Sequence, residues 1–292
     1  MERVWDAGGD DASHLASDNT IVRSNEVFSL TWSGAGGVHP DIIQMVNNGT
    51  SNNTANYWIV ERNYFHDCNS QIGINEIPSA RHLGFIFRNN VVANVNQAYM
   101  LGGVVYNNTF FHCGGEDGAS DLRLLAMSGT SLVKNNIVIA ANTNANDVGI
   151  TLPTSCAEIG EGISNNYYSK SDFPTYTARS ATVIGGANIV CSANVADQRL
   201  SDSGAVNGGD PKFVAAYNDC VANTCDFSLQ SDSPLLGMGA DLSASFTTDY
   251  AGNTRTVPFD IGAYEYQSGA GNTTLGSGST FSLGSGAGFT LQ

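Results

Sequence analysis

Carboxyl, imidazole and guanidinium side chains recur in the first third of the chain at spacings that could serve the cleavage of a polysaccharide. The candidates for catalytic roles are Asp41, Glu61, Asp67, Glu76, Arg81 and His82. A glycosidase needs two carboxyl groups about 5 to 9.5 Å apart. A lyase needs a base, here Arg81 or a histidine, and a positive charge such as Ca²⁺ to neutralise the uronate. The alternative is a ladder of surface side chains with no catalytic role.

Polar and aromatic side chains in the same region could contact a carbohydrate. The candidates are His39, Gln44, Trp58, Tyr64, His66 and His112. In a regular strand, Asp41 and Ile43 would share one face, while Ile42 and Gln44 would share the other. The segment from His39 to Gln44 therefore fits either a sugar groove or a polar turn that precedes a buried strand.

No sequence motif assigns a cofactor to the chain. The sequence contains no phosphate-binding loop, zinc-ligand spacing or Ser-His-Asp pattern. The Asp and Asn residues between Asn142 and Asp147 could offer oxygen ligands to Ca²⁺, but their spacing matches no recognisable calcium loop. We therefore expect no cofactor and no bound metal, and Ca²⁺ is the one ion that the composition leaves open.

A recurring asparagine motif indicates which elements would position these side chains. Lys134-Asn135-Asn136-Ile137-Val138 returns in altered form five times, each copy lying between two short apolar runs. An Asn at the bend between two short strands, repeated every few tens of residues, is typical of a parallel β-solenoid. Stacked one per turn, these amides would form a structural ladder inside the bend. The predicted ladder consists of Asn25, Asn63, Asn90, Asn108, Asn136 and Asn166.

The separations between these asparagines predict coils of unequal length. They range from 18 residues (Asn90 to Asn108) to 38 residues (Asn25 to Asn63). A minimal coil of three short strands needs about 20 residues, and surplus residues loop outward without disturbing the stack. We assign 20–207 to the coils. The insertions 46–56, 71–81, 114–121 and 140–153 would carry any recognition surface.

The segment that follows the coils carries more specific motifs. In order they are Asp210-Pro211-Lys212-Phe213-Val214, Asp226-Phe227-Ser228-Leu229, Asp249-Tyr250-Ala251-Gly252-Asn253 and Asp260-Ile261-Gly262-Ala263-Tyr264. This series resembles the C-terminal segment of right-handed parallel β-helix repeat proteins of the pectate-lyase-like superfamily, where it closes the solenoid after the last coil. The segment from His39 to Gln44 likewise resembles the His-x-Asp-x-x-Gln strands of β-helix polysaccharide enzymes.

The resemblance implies an all-β fold, a single-stranded right-handed parallel β-helix with a C-terminal capping segment (208–266) and a Gly/Ser-rich β tail (267–292). Residues 1–19 are expected to form an irregular lead-in. In the tail, Leu275-Gly276-Ser277-Gly278 recurs as Leu283-Gly284-Ser285-Gly286, and apolar residues alternate with small polar ones, as in a half-buried strand. We expect this tail to contact another chain. A flexible linker is the alternative.

The six cysteines allow only a sparse disulfide framework. Cys220 and Cys225 are close enough in sequence to clip a loop with a disulfide. Cys68 and Cys113 each lie five residues after a ladder asparagine, with one coil between them. Because rungs are about 4.8 Å apart, their backbones would be roughly 10 Å apart, beyond disulfide reach. Both are therefore predicted to be buried thiols outside any disulfide.

The charge balance disfavours several classes of partner. The chain has 12 Lys and Arg against 27 Asp and Glu, a net charge of −15, and its pI is about 4.4. This charge argues against nucleic acid, anionic membranes and steered capture of polyanionic sugars. No apolar run reaches the length of a membrane span, and no signal peptide is evident in the sequence.

Three functions fit these features, because a parallel β-helix can host unrelated activities. The one we favour is a virion structural or surface protein of a phage (a spike, fibre or capsid decoration) with carbohydrate contact, located on the virion or outside the cell. Such proteins leave the host by lysis and need no secretion signal. The expected partners are other virion proteins, a polysaccharide and further copies of the chain, as in a homotrimer. The alternatives are a parallel β-helix polysaccharide lyase or glycoside hydrolase, and a bacterial surface adhesin.

Overall fold

The protein is all-β in the part of the chain that the computed structural model describes. That part comprises residues 3–4, 14–15, 19–29, 41–45, 58–74, 86–100, 103–113, 122–124, 132–140, 150–151, 163–170, 204–215 and 225–268. Its named strands pair in parallel and form two sheets, sheet A with twelve strands and sheet B with six. The predicted fold class and parallel pairing are confirmed at this level. Among the described residues, no helix is long and apolar enough to span a bilayer.

Sheet B consists of three-residue and shorter strands. They are β3 (Ile21–Arg23), β6 (Ile59–Glu61), β8 (Ile86–Arg88), β10 (Val104–Tyr106), β13 (Leu132–Lys134) and β16 (Ile163–Ser164). Sheet A holds β1 (Arg3–Val4), β2 (His14–Leu15), β4 (Glu26–Phe28), β5 (Asp41–Met45), β7 (Tyr64–Ile74), β9 (Val91–Met100), β11 (Thr109–Cys113), β12 (Leu122–Leu124), β14 (Ile137–Ala140), β15 (Ile150–Thr151), β17 (Tyr167–Lys170) and β18 (Val206–Asn207). Two of these strands, β1 and β2, lie in the segment that was expected to be irregular.

In the ranges that the structure describes, six repeating units build the stack. Each is called a rung here and consists of a strand of sheet B, a two-residue corner and a strand of sheet A. Sheet B runs in the order β16-β13-β10-β8-β6-β3, and the main path of sheet A runs β1-β4-β7-β9-β11-β14-β17-β18. Strands that are neighbours in space therefore come from successive repeats of the sequence. This arrangement is compatible with a parallel β-helix, in which each connection returns the chain to the next rung.

The core between the two sheets is a column of buried aromatic and branched side chains. Phe87 of sheet B lies 6.4 Å from Phe65 and 6.1 Å from Phe110, both of sheet A, between ring centroids. All three are fully buried. Successive rungs place one such residue above another, so each inward position of the repeat extends the same core.

Strand β5 departs from the regular alternation predicted for it. Ile42 and Ile43 are both buried, at 1% and 2% exposure, although consecutive residues of a regular strand point to opposite faces. The pairing of β5 with β7 shifts register between Asp41 and Gln44. A bulge of this kind turns two successive side chains toward the same side. The side chain of Asp41 is not described, so the face it shares stays a prediction.

The C-terminal segment lies along the side of the rungs. Its closure of the solenoid after the last coil stays a prediction, and its described contacts reach back over parts of the outer faces of both sheets. Outward residues of sheet A form one buried cluster with it: Val91, Ala93, Phe111, Ile137, Ile139, Tyr167, Phe213, Phe227, Leu229, Leu235, Ile261 and Ala263. On sheet B, Tyr106 packs with Leu242, Phe246 and Phe259. The tail beyond residue 268 lies outside the described residues.

Candidate functional site

The asparagine at the second position of each corner belongs to a continuous hydrogen-bonded ladder. Asn25 donates from its backbone N and its Nδ2 to Asn63 Oδ1, both at 3.0 Å. The same pair of bonds, at 2.9 to 3.1 Å, links each asparagine to the next along the series Asn63, Asn90, Asn108, Asn136 and Asn166. The ladder thus joins all six rungs through their corners.

The five ladder amides from Asn63 to Asn166 also bind sheet B. The Nδ2 of Asn63 donates to Val22 O at 2.9 Å, and the Nδ2 of Asn108 donates to Phe87 O at 2.9 Å. Asn90, Asn136 and Asn166 repeat this contact. The amide oxygen and both amide hydrogens therefore have partners inside a dry corner, where an unmatched polar group would be costly. These residues hold the stack together and offer nothing to a ligand.

The first residue of each corner has a left-handed backbone conformation. Its φ lies between 50° and 59° at Ser24, Arg62, Asn89, Asn107, Asn135 and Asn165. Asparagine is among the few residues other than glycine that adopt this conformation readily, which explains why four of the six are asparagine. Because of this turn, the first side chain of a corner leaves the stack while the second enters it.

These outward side chains bind the backbone of residues 235–266, called the strap here. Asn165 Nδ2 donates to Met238 O, Asn135 Nδ2 to Ala240 O and Asn89 Nδ2 to Thr248 O, at 2.9 to 3.0 Å. Asn107 Nδ2 donates to Asp260 O and Gly262 O at 2.8 and 3.1 Å. Four successive corners therefore hold the strap by the same chemistry.

The course of the strap is a hairpin laid along the corners. Its outgoing arm passes Asn165, Asn135 and Asn89 and reaches Arg62, whose Nε donates to Tyr250 O at 2.9 Å. A turn follows, in which Asn253 N donates to Asp249 Oδ1 at 2.7 Å. The returning arm then comes back past Asn107. The strap thus spans the rungs from β16/β17 to β6/β7.

A buried charge network holds the strap in shape. Arg255 Nη1 donates to Glu265 Oε2 at 3.2 Å, and both side chains are at most 1% exposed. Arg255 Nη2 also donates to Asn89 Oδ1 at 2.8 Å, which links the network to the rungs. Burial lowers the pKa of Arg255 to about 10, while Glu265, Asp249 and Asp260 oppose that shift. Arg255 therefore stays charged at neutral pH and is paired with Glu265 of the strap, while its buried Nε has no hydrogen-bond partner among the described residues.

Two glycines allow the strap to approach the rungs closely. A Cβ at Gly262, where φ is 104°, would lie 2.5 Å from Ile137 Cδ1. A Cβ at Gly239 would lie 2.6 Å from Phe259 O and 3.0 Å from Asn135 Nδ2. At each glycine the nearest of these distances is below normal contact, so a side chain at either position would force the strap or its neighbours to shift.

The candidate catalytic residue Glu61 is the centre of a structural ion pair. It is 5% exposed, and Arg23 Nε and Arg88 Nε donate to its two oxygens at 2.5 and 2.6 Å. The three residues occupy equivalent positions on neighbouring strands. Arg88 also donates to Ser245 O of the strap at 3.0 Å. Because both carboxylate oxygens are occupied, Glu61 is positioned to bind arginine rather than a sugar.

The candidate residue His66 is buried between two carboxylates. Its Nδ1 lies 2.7 Å from Asp67 Oδ2 and its Nε2 lies 3.3 Å from Glu26 Oε1. The imidazole stacks on Phe28 and Tyr64, with ring centroids 5.3 and 4.1 Å away. Since the residue is only 1% exposed, it has no surface to offer to a carbohydrate, contrary to expectation. It ties β4 to β7.

Tyr64 and Trp58, two candidates for carbohydrate contact, also lie wholly or partly in the interior. Trp58 is 0% exposed, so it cannot line a sugar groove. Tyr64 is half-buried and packs against the cluster under the strap. Its hydroxyl is buried without a hydrogen-bond partner among the described residues. Burial, with smaller effects from Asp67, Tyr250 and Glu26, raises the pKa of Tyr64.

Asp67 and His112 lie at a second corner, at the far end of the inward part of sheet A. Asp67, Asn94 and His112 have φ of 50° to 53° and follow paired positions on β7, β9 and β11. The side chain of Asp67 is 30% exposed, and its Oδ1 accepts from Asn94 Nδ2 at 2.9 Å. His112 stacks on Phe111 with centroids 3.9 Å apart, and burial lowers its pKa to about 4.

The remaining predictions fall partly or wholly on residues that the structure does not describe. His39, Glu76, Arg81, His82 and the segment from Asn142 to Asp147 lie outside it. Asp41 and Gln44 lie in β5, and nothing is described of their side chains. Within the described ranges, no group of three or more His, Cys, Asp and Glu is placed to hold a metal ion.

The cysteines are described in part. Cys68 is a buried thiol whose Sγ donates to His66 O at 3.2 Å. It pairs with Val95 on the next strand, so one strand separates the positions of Cys68 and Cys113, as expected. Cys225 is disulfide-bonded, and Cys220 lies outside the described residues. The side chain of Cys113 is not described.

The outward asparagines and the arginine column around Glu61 were not predicted as functional positions. Both are nevertheless visible as regular patterns in the sequence. Asn89, Asn107, Asn135 and Asn165 each precede a ladder asparagine directly. Arg23, Glu61 and Arg88 each stand two residues before one, with alternating charge. Paired positions in a parallel stack are neighbours in space, so each column could have been read by aligning the repeats.

Comparison with known proteins adds no identification. No protein-family model matches the sequence. A search of curated proteins also gives no match.

Proposed function

We propose that the protein is a right-handed parallel β-helix of the pectate-lyase-like superfamily that serves as a structural or surface component of a phage particle. In this role it is a spike, a fibre or a capsid decoration, and it resides on the virion or outside the cell. Its partners are other virion proteins and further copies of the chain, as in a homotrimer. Carbohydrate contact is assigned to the insertions between strands, since these leave the stack unchanged.

One observation carries this proposal: the described side chains that were candidates for catalysis or sugar binding make structural contacts within the stack. Glu61 is paired with Arg23 and Arg88, and His66 is buried between Glu26 and Asp67. Parts of the outer faces of both sheets are covered by the C-terminal segment. A stack whose polar side chains hydrogen-bond to its own rungs is suited to a structural role, in which it bears load and presents loops.

Asp67 favours a second candidate, a polysaccharide lyase or glycoside hydrolase. Its side chain reaches solvent while His66 and Asn94 fix both of its oxygens. A carboxylate positioned in this way could act as a general acid or base, given a second carboxyl group about 5 to 9.5 Å away in the hydrolase case. The third candidate, a bacterial surface adhesin, has no specific contact in its favour.

Immunogold electron microscopy tests the choice. Antibodies against the purified chain should decorate virus particles from the source of the gene, at regular positions. Labelling of the bacterial envelope alone would favour the adhesin and overturn the proposal. The enzyme is tested in parallel by incubating the chain with bacterial surface polysaccharides and measuring new reducing ends, for hydrolysis, or unsaturated ends, for elimination. Product formation that Asp67→Asn abolishes, with no particle labelling, would replace the virion role by the enzyme.

A further inference from the structure

An exposed apolar surface lies on the strap where its two arms meet. Four large hydrophobic side chains are exposed in the described ranges, and two of them belong to the strap: Met238 at 45% and Val257 at 57%. Pro258 is also exposed, and Leu236 is half-buried. These four residues are called the strap patch here, and none of them is charged.

Contacts between the two arms bring the residues of the strap patch together. Gly239 N of the outgoing arm donates to Phe259 O of the returning arm at 2.7 Å. A Cβ added at Gly237 would lie 3.9 Å from Pro258 Cγ, and Met238 lies between the two glycines. The exposed residues of the two arms are therefore neighbours. An apolar surface shared by two segments marks a site of interaction more often than a single exposed side chain does.

The C-terminal tail leaves the strap beside this patch. Asp260 Oδ1 accepts from Gly237 N, and Asp260 Oδ2 accepts from Tyr266 N, both at 2.7 Å. One carboxylate thus holds the end of the strap next to Gly237, the residue before Met238. The last described residue is Ser268, so the tail continues from a point close to the patch.

The composition of the tail suits an apolar surface. Residues 269–292 contain no charged side chain. Phe281 and Leu283 are two positions apart, so both face the same side of an extended segment. Twelve residues, 269–280, separate this pair from the described strap, and a Gly/Ser-rich linker of that length spans roughly 20 Å. The pair can therefore reach the strap patch of its own chain.

The charge of the protein favours the chain's own tail over the tail of a second copy. Each chain carries a net charge of −15, so two copies repel each other as they approach. A tail that is already tethered beside the patch has an effective concentration in the millimolar range. Phe281 also suits Met238, because a thioether makes favourable contacts with an aromatic ring.

We propose that the tail folds back and packs Phe281 and Leu283 on the strap patch of the same chain. The tail then shields Met238 and Val257 from water and adds a second layer over this part of the strap. Its partner is its own chain, whereas another chain was expected from the sequence. This interaction goes beyond the proposed role as a virion component and does not depend on it.

Photocrosslinking on the full chain tests this docking. The photoreactive residue p-benzoylphenylalanine is placed at Phe281 in one variant and at Ser282 in the control, since Ser282 faces the other side of an extended segment. An equal mixture of unlabelled and isotopically labelled chains is irradiated, and the cross-linked peptides are identified by mass spectrometry. Position 281 should cross-link to Met238 or Val257 in severalfold higher yield than position 282, and both peptides should carry the same isotope.

Three outcomes of the crosslinking would overturn the proposal. Cross-links that join a labelled peptide to an unlabelled one would assign the patch to the tail of a second copy. Equal yields from positions 281 and 282 would show that no particular face of the tail packs on the strap. The absence of cross-links to the strap would show that the tail does not dock there.

Oxidation of Met238 by dilute hydrogen peroxide provides a readout that needs no photoreactive residue. Because packing of the tail should shield the thioether, the double variant Phe281→Ser, Leu283→Ser should oxidise Met238 severalfold faster than the wild-type chain. The matched control is Phe289→Ser, Leu291→Ser, which should leave the rate close to that of wild type. Equal rates of oxidation in all three chains would contradict the proposal.

Discussion

Asn107 and Asn108 are adjacent in sequence, but their side chains bind on opposite sides of one corner. Asn108 points into the stack, where its Nδ2 donates to Asn136 Oδ1 at 3.0 Å. Asn107, with φ of 50°, points outward and donates to Asp260 O of the strap at 2.8 Å. The doublet thus joins two structural systems: the second asparagine links the rungs, and the first fastens the C-terminal strap to them.

Replacing Asn108 with Leu should destabilise the stack by about 3 kcal/mol, because buried donors and acceptors on Asn90, Asn136 and Phe87 lose their partner. Chemical denaturation followed by circular dichroism measures the loss. The control is Ser231→Leu, at an exposed turn position, which should stay within about 0.5 kcal/mol of wild type. Equal stability of the two variants would rule out the ladder as a source of stability.

Asn135→Gly should loosen the strap more than Asn165→Gly. Glycine accepts the left-handed backbone at both sites, so the two variants differ mainly in lost side-chain contacts. Asn135 binds Ala240 through both N and O and also donates to Asn107, whereas Asn165 has one described bond to the strap. We expect a loss of about 1–3 kcal/mol for the first and under about 1 kcal/mol for the second, with faster proteolysis of the strap in the first. The reverse order would contradict the assignment.

Gly262→Ala should displace the strap, because the new Cβ would lie 2.5 Å from Ile137 Cδ1. We expect a loss of about 1–3 kcal/mol from overpacking, together with backbone strain at positive φ. Adding Ile137→Val removes that Cδ1 atom and should recover part of the loss. A double-mutant cycle measured by thermal unfolding would then show coupling between the two sites. If the two stability losses are strictly additive, Gly262 is not required for the close approach to Ile137.

Acidification should destabilise the protein through His112. Its pKa is about 4 in the folded protein and about 6.5 when unfolded, so the unfolded chain takes up a proton first as the pH falls. The stability it contributes is complete above pH 6.5 and is lost toward pH 4. Allowing for partial solvent exposure, we expect a loss on the order of 1 kcal/mol.

The control for that pH dependence is His112→Asn. Asn94 already occupies the equivalent corner with φ of 53°, so the backbone should be kept. Unfolding free energies measured between pH 7 and pH 4 should fall less steeply in the variant. An identical slope in both proteins would assign the acid sensitivity to other groups.

The parts of the fold that repeat could be predicted from the sequence, and the parts that depend on unique contacts could not. Asn25, Asn63 and Asn108 recur in a constant local pattern, so their alignment predicts stacking and parallel sheets. Whether Glu61 faces a sugar or two arginines depends on which strands are neighbours. The alternation of Arg23, Glu61 and Arg88 can be recognised only after the rungs are aligned.

The C-terminal segment 208–266 was recognised from its motifs, but the course of the strap within it was not predicted. The strap runs along the corners from Asn165 to Arg62. The partners of Asp260 and Gly262 lie more than 150 residues earlier in the chain, and no local pattern encodes so distant a contact. The bulge in β5, which buries both Ile42 and Ile43, is a second case in which the neighbouring strand overrides the local alternation.

Quantitative mass spectrometry of gradient-purified virus particles tests the proposed role most directly. Particles from the source of the gene are banded by density, and the abundance of this chain is compared with that of the major capsid protein in each fraction. As a structural component, the chain should co-migrate with the particles at a constant ratio that corresponds to a whole number of copies per particle. Its recovery only in particle-free fractions would contradict the virion assignment.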